Sequence, residues 1–168
     1  MLIREYTISQ LDKDTANNFV GDRKERSNNI KVTSVVYVPF VANNKLLCNS
    51  DVVGETGQHY KTKISFSNVE YDTKDGNIIT TSDNKEMSIG IIDMNKSDVE
   101  VSCNCLDFFQ RLASYDKTVK ALYGNETPKY TGFTRPEDKK KGNPNNSPGM
   151  CKHLYALIDY LKSDNVVR

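Results

Sequence analysis

Two short stretches constrain this chain more than anything else in it: Cys103-Asn104-Cys105 and, far along the sequence, Cys151-Lys152-His153. Together they hold three of the four cysteines and one of the two histidines. Three thiols and an imidazole are the donor set of a closed tetrahedral zinc site, in which protein fills every position; a catalytic zinc keeps one position for water. The pattern predicts a structural metal on Cys103, Cys105, Cys151 and His153, joining a strand end to a distant helix start. Val99 and Val101 alternate with Glu100 and Ser102 up to the first pair, so a tight turn there aims both sulfurs at one point. On a regular helix, positions i and i+2 diverge by about 200°. Cys151 therefore has to lie on the turn entering a helix, with His153 on its first turn. Ser147-Pro148-Gly149-Met150 suits that entrance, and a helix N-terminus favours a thiolate.

Three other readings of the cysteines stay open on sequence alone. They can be small buried apolar residues beside a chance histidine. A disulfide is disfavoured by the lack of a secretory signal in Met1 to Tyr6, which points to a reducing cytosol. A redox pair is disfavoured because Cys-x-Cys lacks the two-residue spacer of that motif.

Charge narrows the partners. Lys and Arg total 23 against 22 Asp and Glu, a net charge of +1, without the basic excess of a protein built mainly to grip phosphates. No apolar run reaches the length of a membrane span. The length of 168 residues suits one domain.

Periodicity predicts an α+β protein: an antiparallel sheet or small sandwich followed by a zinc-clamped two-helix unit. Residues 1–29 read as an N-terminal arm, with a short helix from Thr7 to Phe19 and then the charged run Gly21 to Asn29, either a solvated loop or a segment lying on a neighbouring subunit. Residues 30–102 read as the antiparallel β region. Ile30, Val32, Ser34 and Val36 alternate with Lys31, Thr33, Val35 and Tyr37, and Pro39 limits pairing. The clearest strand puts Tyr60, Thr62, Ile64, Phe66 and Asn68 on one face. Asp75-Gly76 predicts a hairpin joining Val69–Tyr71 to Ile78–Thr81. Cys48 reads as a small core residue and His59 as a loop histidine, not a fifth ligand.

Residues 99–163 read as the clamped helical unit, packed with the β region as one domain. Leu106, Phe109, Leu112 and Ala113 share a stripe at helical spacing, with Phe108, Leu112 and Tyr115 beside it, and Gly124 stops that helical region. Asn125 to Pro148 is a long polar segment carrying Tyr130, Phe133, Arg135 and the run Lys139-Lys140-Lys141, candidate partner-binding residues. The last helix presents Leu154, Leu157, Ile158 and Leu161 at spacings of three and four, with Tyr155 and Tyr160 elsewhere on its surface and a fraying tail after Ser163.

The arrangement Cys103-x-Cys105…Cys151-x-His153 resembles the SWIM-type zinc finger, with a longer gap than most members carry. That resemblance implies zinc on these four residues, a first pair on a β-turn, a second at a helix start, and binding to nucleic acid or protein instead of catalysis. Three further stretches, Val101–Phe108, Ala121–Gly124 and Asn143–Leu154, resemble small virion proteins of large tailed bacteriophages. This likeness implies a non-enzymatic structural component of a head, neck or tail assembly, located in the virion after synthesis in the host cytoplasm. Its partners would be other virion proteins in several copies, with no membrane and no small-molecule substrate. The alternative is a SWIM-type nucleic-acid-binding module using Tyr130, Phe133, Arg135 and Lys139 to Lys141.

Overall fold

A computed structural model of the chain describes residues 6–19, 21–124 and 143–168. It is α+β, with a four-stranded antiparallel sheet as its centre. Helix α1 (Ile8–Asn18) and the short α2 (Arg23–Arg26) precede strands β1 (Lys31–Phe40), β2 (Lys45–Val53), β3 (His59–Phe66), β4 (Asn77–Thr80), β5 (Glu86–Ile89) and β6 (Val99–Cys103). A π-helical turn (Phe108–Leu112) runs into α3 (Ala113–Thr118), and α4 (Lys152–Ser163) follows. The large sheet has the order β1-β2-β3-β6, and β4 and β5 form a separate two-stranded ribbon.

Alternation sets the sheet's buried face. Cross-strand pairing aligns Tyr37, Cys48, Ile64 and Val101 in one row, and Leu46, Phe66 and Val99 in the next, all buried. Lys61, Lys63, Asp51 and Glu100 point the other way, as expected for an antiparallel sheet covered on one side. Helix α4 lies on the covered side, its Leu154, Leu157, Ile158 and Leu161 buried in the same core. A bulge between Val32 and Ser34 changes the phase of β1. The inward residues after it are therefore Val35 and Tyr37, while Val36, expected on the face of Val32, is 42% exposed. Pro39 is accommodated because β1 is an edge strand.

The main core cluster runs from Ile8 to Val167, beside a small second one of Ile30, Val52 and Ala156, and four expectations change. The N-terminal segment is not a free arm: Ile8, Leu11 and Phe19 are core residues, α1 is capped by Thr7 Oγ1, and the charged run folds into α2 behind an Asp22 cap. The Asp75-Gly76 turn does not make the predicted hairpin. Tyr71 bridges Ile89 instead, and the hairpin is β4–β5 around Ser82–Asn84, with Asn84 left-handed. Gly76 is needed for close approach, since a Cβ there would collide with the Ile89 carbonyl oxygen.

The chain after α3 does not end as a helix at Gly124. Ala121 and Tyr123 hydrogen-bond to both sides of Val101, adding a short parallel piece to β6. The C-terminal tail does not fray either: Val166 and Val167 are buried, and Arg168 N–H donates to the Ile92 carbonyl at 2.9 Å. Among the described residues no helix is long and apolar enough to cross a membrane.

Candidate metal centre

Strand β6 delivers the first sulfur pair. Cys103 is the last residue of β6, opposite Thr62. Asn104 extends the pairing by one step, its N–H donating to the Lys61 carbonyl at 3.2 Å and its Oδ1 accepting from Lys61 N–H at 2.9 Å. The side chain and backbone of Asn104 thus hold the turn in place, which swings Cys105 back toward Cys103. Cys105 then sits at a helix start, where Phe108 N–H donates to its Sγ at 3.4 Å.

The second pair comes from the start of α4. Cys151 is the N-cap, in extended conformation and without a side-chain capping bond, and His153 lies on the first turn. The segment before it is anchored at successive residues. Asn143 Oδ1 accepts from Ser147 N–H at 2.9 Å and its Nδ2 donates to the Ser147 and Arg111 carbonyls. Gly149 N–H donates to Asp116 Oδ1 at 2.8 Å, and Met150 N–H to Thr15 Oγ1 at 2.9 Å. A Cβ on Gly149 would meet Thr15 Oγ1 at 2.9 Å and Phe19 at 3.1 Å, so only glycine passes between α1 and the π-turn at this level.

The result is one buried cluster of Cys103, Cys105, Cys151 and His153, whose donor atoms all lie within 4.8 Å of one another and can hold a metal ion. Cys103 Sγ is 3.9 Å from His153 Nδ1. A tetrahedron with metal–sulfur bonds of about 2.3 Å has an edge of roughly 3.8 Å, so this spacing fits one ion at the centre. His153 stacks on Tyr60 with ring centroids 4.3 Å apart, and its Nε2 is buried with no hydrogen-bond partner among the described residues. An unpaired buried polar atom costs free energy, as do adjacent sulfurs that cannot all ionise.

Burial pushes the Cys103 and Cys151 thiols well up. Hydrogen bonds from Cys103 and Cys151, and then from His153 and Phe108 N–H, hold Cys105 far below the ordinary thiol range. Metal binding at such a site is coupled to release of the remaining thiol protons.

The fourth cysteine, Cys48, stands apart as a fully buried core residue, and burial pushes its thiol up. His59 is exposed at the start of β3. Tyr130, Phe133, Arg135, Lys139, Lys140 and Lys141 lie outside the described residues. Sequence reasoning did not find Asn104, Tyr60, Asn143 and Asp116 as supports of the cluster. Only Asn143-Pro144, a dipeptide typical of turns, carried a signal in advance. Compared with known proteins, the chain matches no family model, no curated protein and no solved structure.

Proposed function

We propose that this chain is a non-catalytic structural protein closed by one zinc ion on Cys103, Cys105, Cys151 and His153, and that it packs with other proteins in several copies within a tailed-phage particle. The observation that carries the zinc reading is the burial of all four donors within 4.8 Å of one another. Three thiolates and an imidazole suit zinc in preference to the hard, oxygen-seeking cations. Four protein donors leave no position for a substrate or an activated water, which supports a structural ion over a catalytic one. The ion would tie β6 to α4, two elements far apart in sequence, and so couple metal binding to folding.

The assembly role is supported by the resemblance of Val101–Phe108, Ala121–Gly124 and Asn143–Leu154 to phage virion proteins. The near-neutral net charge favours protein partners over a phosphate backbone.

Elemental analysis of the chelator-washed protein, read with thiol titration, tests the zinc. One zinc per chain is expected, with three thiols protected until the metal is stripped. No metal together with freely reactive Cys103, Cys105 and Cys151 would overturn it. Mass spectrometry of purified particles tests the assembly role: the chain is expected at fixed stoichiometry, and its absence from particles would overturn that part alone.

A further inference from the structure

The charged run Gly21 to Asn29 has no part in the metal centre, yet the fold brings it against the two metal-bearing segments. Arg23 and Arg26 from α2, Arg111 from the π-turn and Lys152 from α4 line a pocket of about 250 Å³, together with Gly21 and Asp107. Arg23 is fixed. Its Nε and Nη2 donate to the two oxygens of Asp107, each at 2.9 Å, its guanidinium lies 4.6 Å from the centroid of the Phe19 ring, and its side chain is only 12% exposed. Arg111 Nη1 donates to Asp107 Oδ1 at 2.7 Å. On the other side Glu55 Oε1 is shared by Lys152 Nζ at 3.2 Å and Arg26 Nε at 3.5 Å.

Four cationic side chains thus face two carboxylates. Among these six described side chains, Asp107 and Glu55 set the positions of the cations but neutralise only half their charge, a surplus of two, while Cys151 of the sulfur cluster also acts on Arg23. Arginine and lysine present five and three N–H donors respectively, so most donors in the pocket are not used by the two acids. Like charges gathered this closely repel one another, and the arrangement is most favourable with a further anion among them.

We propose that this pocket is a binding site for a phosphate dianion, with the phosphate group inside and its carrier outside. A phosphate monoester bears a charge of roughly −1.5 to −2 at neutral pH, which matches the surplus. Its oxygens suit the planar forks of arginine, which bind phosphate in bidentate fashion. The volume, below the roughly 300–1,000 Å³ of sites that enclose a whole small molecule, admits a phosphate group but not a nucleotide. The site uses none of the four metal-centre donors, but it adjoins them, with Arg23 next to Cys151 and Asp107 next to Cys105 in its electrostatics. Its walls are held by ion pairs, although Lys152 lies between two of the metal-centre residues.

The test is calorimetric titration of the full chain, at measured metal content and constant ionic strength in chloride buffer, with inorganic phosphate as the probe. Saturable binding to one site is expected. Replacing both exposed arginines (R26Q with R111Q) leaves the Arg23–Asp107 pair intact and should weaken phosphate binding about tenfold or more. E55Q removes a competing carboxylate and should strengthen it about threefold, an opposite change that damage to the fold cannot produce. No saturable heat beyond that of chloride, or E55Q binding no tighter than the parent, would overturn the proposal. It would equally fall if a single-stranded oligonucleotide without terminal phosphates bound the pocket and inorganic phosphate failed to displace it, since the site would then read a diester backbone.

Discussion

The sheet and the metal centre are held together in different ways. In β2, β3 and β6 the same residues that pair across the ladder also bury their side chains in rows, such as Cys48, Ile64 and Val101. Backbone pairing and apolar burial there specify one register twice over, because a slip by one residue would expose the whole row. The turns that carry the Cys/His cluster have little such redundancy. Cys103 and Cys105 turn on Asn104, and Cys151 is positioned by single hydrogen bonds to Asp116 and Thr15 in the residues just before it. The first region is stabilised by many small, mutually consistent terms, the second by a few strong ones. Damage should therefore be graded in the sheet and abrupt at the centre.

The largest expected break is Cys151→Ser. If the proposed zinc is bound, loss of one ligand should release it and destabilise the chain on the order of 5 kcal/mol, a fraction of the roughly 10–16 kcal/mol that a structural zinc site can contribute. Hydrogen exchange by mass spectrometry should show amides of α4 losing protection while those of β2 and β3 keep theirs. Simultaneous loss in both would erase the contrast and make the molecule one cooperative unit.

A smaller effect is expected at the approach to the centre. Gly149→Ala forces its methyl against Thr15 and Phe19 and should cost about 2 kcal/mol by overpacking, with weaker zinc retention against a chelator. Unchanged zinc retention would show that the approach does not position Cys151.

Asp116 tests the same segment through pH. Its carboxyl is fully buried with Oδ2 unpartnered among the described residues, and burial pushes its pKa well up despite the bond from Gly149 N–H. A raised folded-state pKa means the folded chain holds the proton more tightly. The stability this gives is complete below the ordinary carboxylate range and is lost progressively as pH rises toward the folded value. Asp116→Asn keeps an acceptor for Gly149 without the charge. It should flatten the decline of melting temperature as pH rises above the ordinary carboxylate range and be more stable than the parent by about 1 kcal/mol once the parent's carboxyl ionises. An unchanged pH slope would contradict this account.

The smallest effect is the most discriminating about local structure. Leu106→Ser should change stability by less than about 0.5 kcal/mol, because Leu106 is 71% exposed. Had helical periodicity alone placed it, truncation would cost what core leucines do, roughly 2–5 kcal/mol. Chemical denaturation distinguishes the two.

That leucine also shows where reading the sequence stops. Strand β3 and helix α4 were legible because their apolar residues keep an unbroken period, two in one and 3.6 in the other. The stripe Leu106, Phe109, Leu112, Ala113 was misleading because the π-turn inserts one residue into the helical repeat. The buried set becomes Phe108, Leu112, Ala113 and Asp116, and Phe109 is left 37% exposed. The bulge after Val32 does the same to β1. Phase shifts of this kind depend on tertiary neighbours and leave no mark on local pattern. The cluster of Cys103, Cys105, Cys151 and His153 was legible for the opposite reason, since its donor types are rare in the chain and chemically specific. Its supports were hidden because asparagine and aspartate are common here and their roles are set by partners distant in sequence, as with Asp116 and Gly149.

The two short pieces laid along the outer strands have a consequence for how copies of this chain can meet. Beside β6, Ala121 and Tyr123 occupy the backbone groups of Val101. Beside β1, Ser82 N–H takes the carbonyl of Tyr37, and Thr81 bridges the same residue. A sheet with bare margins invites a neighbour to add a strand and grow without limit. Here both margins are obstructed near their middles, and the bulge disturbs the open part of β1. Association through continuous strand addition is disfavoured, which leaves side-chain surfaces as the means by which subunits would recognise one another and lets geometry, not backbone templating, decide how many come together.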